Sequence, residues 1–352
     1  MLKNDKIKRF IPLLIVCILF FGCSKGAKVT TLNVLQFNIW QEGTIVEGGY
    51  DAIVQQIIDS EADLIAFSEV RNYNNTRFCD RIVESLKERG ETFYSFLSYD
   101  SGILSRFPIT DSMTIFPWIN DHGSVYKAVV NVGEREIAFY TAHLDYLNCT
   151  YYDIKGYSGT TWEKRPPMTD MDSIMADNVY SQRDDAIRNF IEEAAKDREK
   201  GRLVIIGGDF NEPSHLDWTE ETKDMYDRQG LIVPWTVSLM LEEAGYKDSY
   251  RVMYPDPVKN PGITFPADCP GAPVEKLTWA PDSDERERID YIHYSPDKDL
   301  KLKDVVVWGP SGSINKSERV QETERTKIGS GIWPTDHKGV LATFELRNNV
   351  RR

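Results

Sequence analysis

The chain has 352 residues, of which 41% are hydrophobic and 11% aromatic, and carries a formal net charge of −13. That apolar content is ample for a packed core and excludes an intrinsically disordered chain. The acidic balance, without any basic run, argues against binding of duplex nucleic acid, which needs cationic side chains to displace counterions.

Lys3, Lys6, Lys8 and Arg9 precede an uncharged apolar run over residues 10–21. The run is short for a membrane span, which takes about 20 residues, and has the length of a signal-peptide core. It ends in Leu19-Phe20-Phe21-Gly22-Cys23, similar to a bacterial lipobox, where a small residue precedes a cysteine that becomes acylated after cleavage. Residues 1–22 are thus expected to be a lipoprotein signal peptide, Cys23 the lipidated residue and residues 23–30 a tether. An ordinary signal peptide or a weak anchor is the alternative. Ser24 after the cysteine points to an exported, lipid-anchored protein of the cell envelope, at the outer membrane in a Gram-negative host. Loss of the four cations and Asp5 of residues 1–22 takes the net charge from −13 to −16. Cys79, Cys149 and Cys269 then remain, without metal-ligand spacing, and Cys149 with Cys269 is a conceivable pair.

Residues 32–37 read as a strand with Val34, Leu35 and Phe37 as core candidates. In residues 50–60, Ile53, Val54, Ile57 and Ile58 share one helical face. A buried strand over 63–67 and an amphipathic helix over 77–89 follow. Strands are expected over 94–97, 102–105, 112–116, 125–132 and 135–142, the last two joined at Gly133-Glu134 as a hairpin. Beyond them come a helix over 182–196, a strand over 203–206, a helix over 235–244, and strands over 288–294, 303–307 and 339–346. This order predicts an α/β (α+β) fold: a four-layer sandwich of two packed, mostly antiparallel sheets flanked by helices, forming one domain over 31–347. Long stretches near 148–178, 212–233 and 256–285 break the rhythm. Their aromatics, among them Tyr151, Tyr152, Trp162, Trp218 and Trp279, mark them as ordered insertions.

Polar residues recur at the bounds of the apolar strands: Asn38, Glu69, His143 and Asp209 with Asn211 where strands stop, Asp290 inside residues 288–292, and Asp336 with His337 before the last strand. Singly, each could be a turn residue, a helix cap or a satisfied core histidine. An unpaired charge at the end of a buried strand is costly, and metal coordination would relieve it. Hydrolysis of a phosphate ester requires carboxylates for a hard divalent cation, a group that takes a proton from water, and cationic donors for the developing charge. All are present.

The series Phe37-Asn38-Ile39-Trp40, Ser68-Glu69-Val70, Gly102-Ile103-Leu104-Ser105-Arg106-Phe107-Pro108, Thr141-Ala142-His143-Leu144, Gly207-Gly208-Asp209-Phe210-Asn211, Arg288-Ile289-Asp290-Tyr291 and Thr335-Asp336-His337 resembles the endonuclease/exonuclease/phosphatase family. No motif position is replaced. The resemblance implies a metal-dependent phosphoric ester hydrolase, a phosphodiesterase or phosphatase. Mg²⁺ (Mn²⁺ as the alternative) would be held by Glu69, Asn38 and Asp336. Asp209 would orient or deprotonate the attacking water, Asn211 would position it, His337 would be held by Asp290, and His143 would be the second phosphate-facing histidine.

The substrate must be read from the loops. His215, six residues past Asp209, either faces the substrate or caps a turn. Tyr151 and Trp162 form either a wall of the site or a satellite core, and Arg165 is either a second charge-binding group or solvated surface. Acidity favours a small, sugar-linked or lipid-linked phosphate over an extracellular nuclease's polyanion, and the intact polar set disfavours a non-catalytic surface binding protein.

Overall fold

The computed structural model describes residues 28–348. The expected signal peptide, the lipidation site Cys23 and most of the tether lie outside the described residues. No helix among the described residues is long and apolar enough to cross a membrane.

In β1 (Lys28–Asn38) apolar side chains alternate between two destinations. Leu32 and Val34 enter the core between the sheets, whereas Leu35 and Phe37 turn to the opposite face, where α1 (Gly49–Ser60) packs Ile53, Val54 and Ile57. The period-two pattern of a strand buried on both faces therefore defines three layers at once. The chain continues through β2 (Leu64–Val70), α2 (Phe78–Glu88), β3 (Asp100–Ser105), β4 (Ile109–Phe116), β5 (Gly123–Val132) and β6 (Arg135–Leu144). Next come α3 (Thr150–Ile154), α4 (Met171–Asn178), α5 (Arg183–Glu199), β7 (Leu203–Asp209) and α6 (Thr236–Glu243). The last part holds β8 (Lys247–Asp248), α7 (Ser249–Met253), β9 (Asp290–Tyr294), β10 (Leu300–Trp308) and β11 (Gly312–Asn315). Then β12 (Glu318–Gln321), β13 (Thr326–Lys327) and β14 (Gly339–Asn348) close it.

One six-stranded sheet has the order β13-β10-β14-β1-β2-β3 and the other β4-β5-β6-β7-β9-β8. The pairings are mostly antiparallel, with parallel pairs at β1–β2, β6–β7 and β10–β13. The second sheet packs its outer face on α5 and α6, through Ile187, Phe190, Val237 and Leu241. This is the expected four-layer sandwich. The sheets approach closely where Gly207 faces Gln36 and Ala66, and a Cβ on neighbouring Gly208 would come within 2.3 Å of the Ala142 carbonyl.

Two local expectations are corrected. Residues 28–30 are not tether: they pair with Leu346, Arg347 and Asn348 at the start of β1. Residues 94–97 form no strand but a single bridge from Tyr94 to Ser105, because Tyr94 and Leu97 face solvent and offer no second apolar row.

The insertions assemble a fourth core from Tyr151, Tyr152, Ile154, Trp218, Trp235 and Ala280. Buried ion pairs fasten it. Glu287 meets Lys155 at 2.8 Å and Arg228 at 2.6 Å, and accepts from Trp218 Nε1 at 3.1 Å. Cys149 and Cys269 do not pair: each is a buried thiol, the first donating to the Asn211 carbonyl and the second to that of Trp333.

Candidate active site

Strand register builds the site. His143 on β6 is the partner of Asp209 on β7, and Asp209 is the partner of Asp290 on β9, so one row crosses three neighbouring strands. From the facing sheet, Asn38 ends β1 beside Ser68 of β2. Ser68 ties the sheets together: its hydroxyl donates to the Ala142 carbonyl and accepts from the Asp209 backbone N–H. A bulge between Ser68 and Val70 turns Glu69 into the site with φ 70°. That left-handed conformation is strained for a non-glycine residue, and such strain concentrates at functional sites. The Gln41 N–H steadies the Glu69 carboxylate at 2.8 Å.

Asp209 is the hub. One oxygen accepts from Asn38 Nδ2 at 2.9 Å, and the other accepts from the Asn211 backbone N–H at 2.9 Å. The Asn38 amide also reaches Glu69 at 3.2 Å. His337 Nε2 lies 3.7 Å and His143 Nε2 3.9 Å from Asp209 Oδ2. Each imidazole is anchored on its far side: His337 Nδ1 to Asp290 at 3.0 Å, and His143 Nδ1 to Asp100 at 2.9 Å. Gln36 and Thr264 hold Asp290 in turn.

Burial alone would lower both histidines, but the carboxylates win. Asp290 and Asp209 hold His337 at about 10, and Asp100 and Asp209 hold His143 at about 9. Burial, followed by the Asp290 charge, pushes Asp209 above the usual carboxylate range, the histidines pulling it back only in part. Burial also raises Asp336, to about 8, where the negative Glu69 and Asp209 add to the effect against the pull of His337.

Two groupings can be weighed as metal ligands. Asp209, Asp290 and His337 offer ligand atoms within 4.8 Å of one another. Asp290 already holds His337 Nδ1, and a charged imidazolium repels a cation, so that group works better as a proton network. The Asn38, Glu69 and Asp336 group fits a hard divalent cation. Its two carboxylates, Glu69 and Asp336, are the donors such a cation takes, and the Asp336 carboxyl is buried; Asn38, expected as a third ligand, instead turns its Nδ2 to Glu69 and Asp209 and gives its Oδ1 to the Trp40 N–H.

These residues open into a cleft of about 230 Å³, small for a ligand pocket. Glu69, His143, Asp209, Asn211, Asp336 and His337 line its polar side, and Tyr151 and Trp162 its aromatic side. Two expectations are corrected here. His215 lines a separate cleft, because Ser238 accepts from its backbone N–H and meets its Nδ1, and Glu242 holds its Nε2. Arg165 pairs with Asp153 at 2.6 Å at the surface of the insertion and is not among the residues lining the active-site cleft.

Sequence reasoning missed Asp100, Arg71 and Gln36. Asp100 (φ 67°) anchors His143 and pairs with Arg71 at 2.9 Å. Its signal was faint: Asp100 precedes the Gly102–Pro108 motif at the start of β3, whereas Glu69 and Asp209 stand out where apolar runs stop.

A family model described as Endonuclease/Exonuclease/phosphatase family matches residues 35–337. An uncharacterized protein of Caenorhabditis elegans is 29% identical over 291 residues, spanning 81% of this chain and 86% of its own. Among solved structures, D. rerio TDP2 complexed with a single-strand DNA product is 16% identical, covering 90% of this chain and 99% of its own at a TM-score of 0.51. The human nocturnin catalytic domain with bound sulfate is 15% identical, covering 91% and 97%, at 0.50. A family protein from Bacteroides thetaiotaomicron is 15% identical, covering 91% and 96%, also at 0.50. At such identities the three structures speak to the fold alone.

Proposed function

Since the chain belongs to the endonuclease/exonuclease/phosphatase family, we propose that it is a divalent-metal-dependent hydrolase of a small, sugar-linked or lipid-linked phosphate ester. The observation that carries this reading is the Asp209 carboxylate set between two imidazoles, each backed by its own buried carboxylate.

In this reading Asp209 orients the attacking water and takes its proton, its raised affinity for protons suiting it to a base working near neutrality. Asn38 and the Asn211 N–H fix the carboxylate for that transfer. Asp290 and Asp100 keep the Nδ1 protons of His337 and His143 in place. Neither Nε2 has a hydrogen-bond partner among the described residues, so both N–H groups can meet phosphate oxygens as negative charge builds. Glu69 and Asp336 would hold Mg²⁺ or Mn²⁺, with Asn38 steadying Glu69 beside it, and the metal when bound supplies Lewis-acid polarisation of a phosphoryl oxygen.

The test is a panel of phosphate mono- and diesters assayed with Mg²⁺, with Mn²⁺ and with EDTA. Turnover is expected with metal, is abolished by EDTA, and is lost in Glu69→Ala. Equal turnover in Glu69→Ala would overturn the metal assignment. A nuclease would nick plasmid with a steep salt dependence. The acidic chain and the single Arg or Lys among the cleft-lining residues, Arg71, count against that outcome. The lipid anchor at Cys23 belongs to the same proposal; metabolic labelling with palmitate should mark the wild-type chain and spare Cys23→Ala.

A further inference from the structure

Resting on that hydrolase reading, we propose that Trp162 and Trp279 form the subsite that selects the alcohol half of the ester, and that this half is a neutral, saturated polyol ring of the sugar or cyclitol class. The two indoles come from different insertions and meet at the cleft with centroids 5.0 Å apart. Tyr152 stands edge-on to Trp162 at 5.0 Å and 83°, fixing its ring. Trp279 is 46% exposed, so burial does not account for its position.

Backbone geometry gives a second, independent observation. Trp162 has φ 61°, a conformation unfavourable for so bulky a residue. A tight turn holds it there: the Trp162 N–H donates to the Ser158 carbonyl, the Ser158 N–H to that of Glu163, and Tyr157 bridges to Lys164. The turn thus keeps the Trp162 indole at the cleft, and strain concentrates at such sites.

Charge narrows the ligand. Arg71 is already engaged by Asp100 and Asp121, and the remaining charged lining, apart from the two histidines, is carboxylate. The cleft therefore accommodates one phosphate, and a second would face Asp121 or Asp336. Shape narrows it further. The indoles are inclined at 44°, making a corner and not the parallel slot that a flat base would stack in. A puckered ring can rest its C–H faces on both indoles and offer its hydroxyls to the polar groups that share the cleft lining, Gln41, Tyr146 and Asp121.

The experiment measures kcat/KM with Mg²⁺ for glucose 1-phosphate, myo-inositol 1-phosphate, glycerol 1-phosphate and AMP, each as monoester and methyl diester. It compares the full chain with Trp279→Ala and Trp162→Phe, both checked for unchanged thermal melting. Binding of myo-inositol 1-phosphate, followed by indole fluorescence, adds a readout independent of turnover. Expected are a preference for the ring polyol esters over the glycerol ester, at least a tenfold fall of that preference in Trp279→Ala, chiefly through KM, and loss of most of the fluorescence change. No ring preference, or a preference and fluorescence change that neither substitution moves, overturns the inference and leaves the hydrolase reading standing. Preference for AMP overturns the polyol assignment. Absence of turnover on every ester overturns the hydrolase reading, and the fluorescence arm then decides whether the polyol phosphate binds at the two indoles.

Discussion

His337 and His143 occupy matching positions, each tied through Nδ1 to a buried carboxylate and aiming Nε2 at Asp209. His337→Ala is expected to lower kcat by two to three orders of magnitude, the effect of removing one oxyanion donor, about 3–4 kcal/mol. Single-turnover rates on a confirmed substrate measure it, and a change below threefold would exclude the role. The pH dependence has a definite sign. A histidine held at about 10 acts as a donor until the pH rises through that value. Asp290→Asn removes the nearer negative charge, so the alkaline fall of the rate should move to lower pH, and Asp100→Asn should do the same through His143, held at about 9. A rate profile between pH 6 and 10.5 decides both. Residues that end an apolar run, such as Asp209, could be read from sequence because the break in hydrophobicity marks them. Asp100 could not, since its role depends on the antiparallel pairing that sets Ser68 of β2 against Ser101 of β3, and on β3 lying across from His143.

Among the elements, those with a strong pattern were legible: the 3.6-residue face of α1, the apolar residues of β1 and the continuous apolar run that opens β7 declare themselves. The helices α3 and α4 did not. Both lie in an insertion whose core is aromatic and whose turns are fixed by distant partners, so no local period betrays them. Glu287 is the clearest case. It links Lys155 of one insertion to Arg228 of another, and all three charges are buried. Glu287→Ala would leave two buried cations unopposed and is expected to cost about 3–5 kcal/mol of stability. Urea midpoints at neutral pH check this; a loss under 1 kcal/mol would show that water or another acid takes over.

At the scale of the whole molecule, one buried histidine weakens the fold in mild acid, against the raised carboxyls of Asp209 and Asp336, which act in the opposite sense. Burial first, then Arg288 and His215, against the pull of Asp248, hold the His293 imidazole down from 6.5 to about 4. Between those values the unfolded chain binds the proton that the folded chain refuses, so stability drops as pH falls from about 6.5 to 4, by up to about 3 kcal/mol. On going from pH 7.5 to 4.5, His293→Gln should lose less unfolding free energy, or gain more, than the wild type, and identical slopes would remove His293 as a contributor.

The pairing of Lys28 with Asn348 has a consequence for orientation. The first and last described residues meet at one end of β1, while Asn38, at the other end of that strand, reaches Asp209 in the candidate site. Eleven residues of strand set these ends ~33 Å apart at about 3.3 Å per residue. A chain fastened by whatever precedes Lys28 would stand on its terminal end like a lamp on its base. The cleft would then open at the end of β1 away from that attachment.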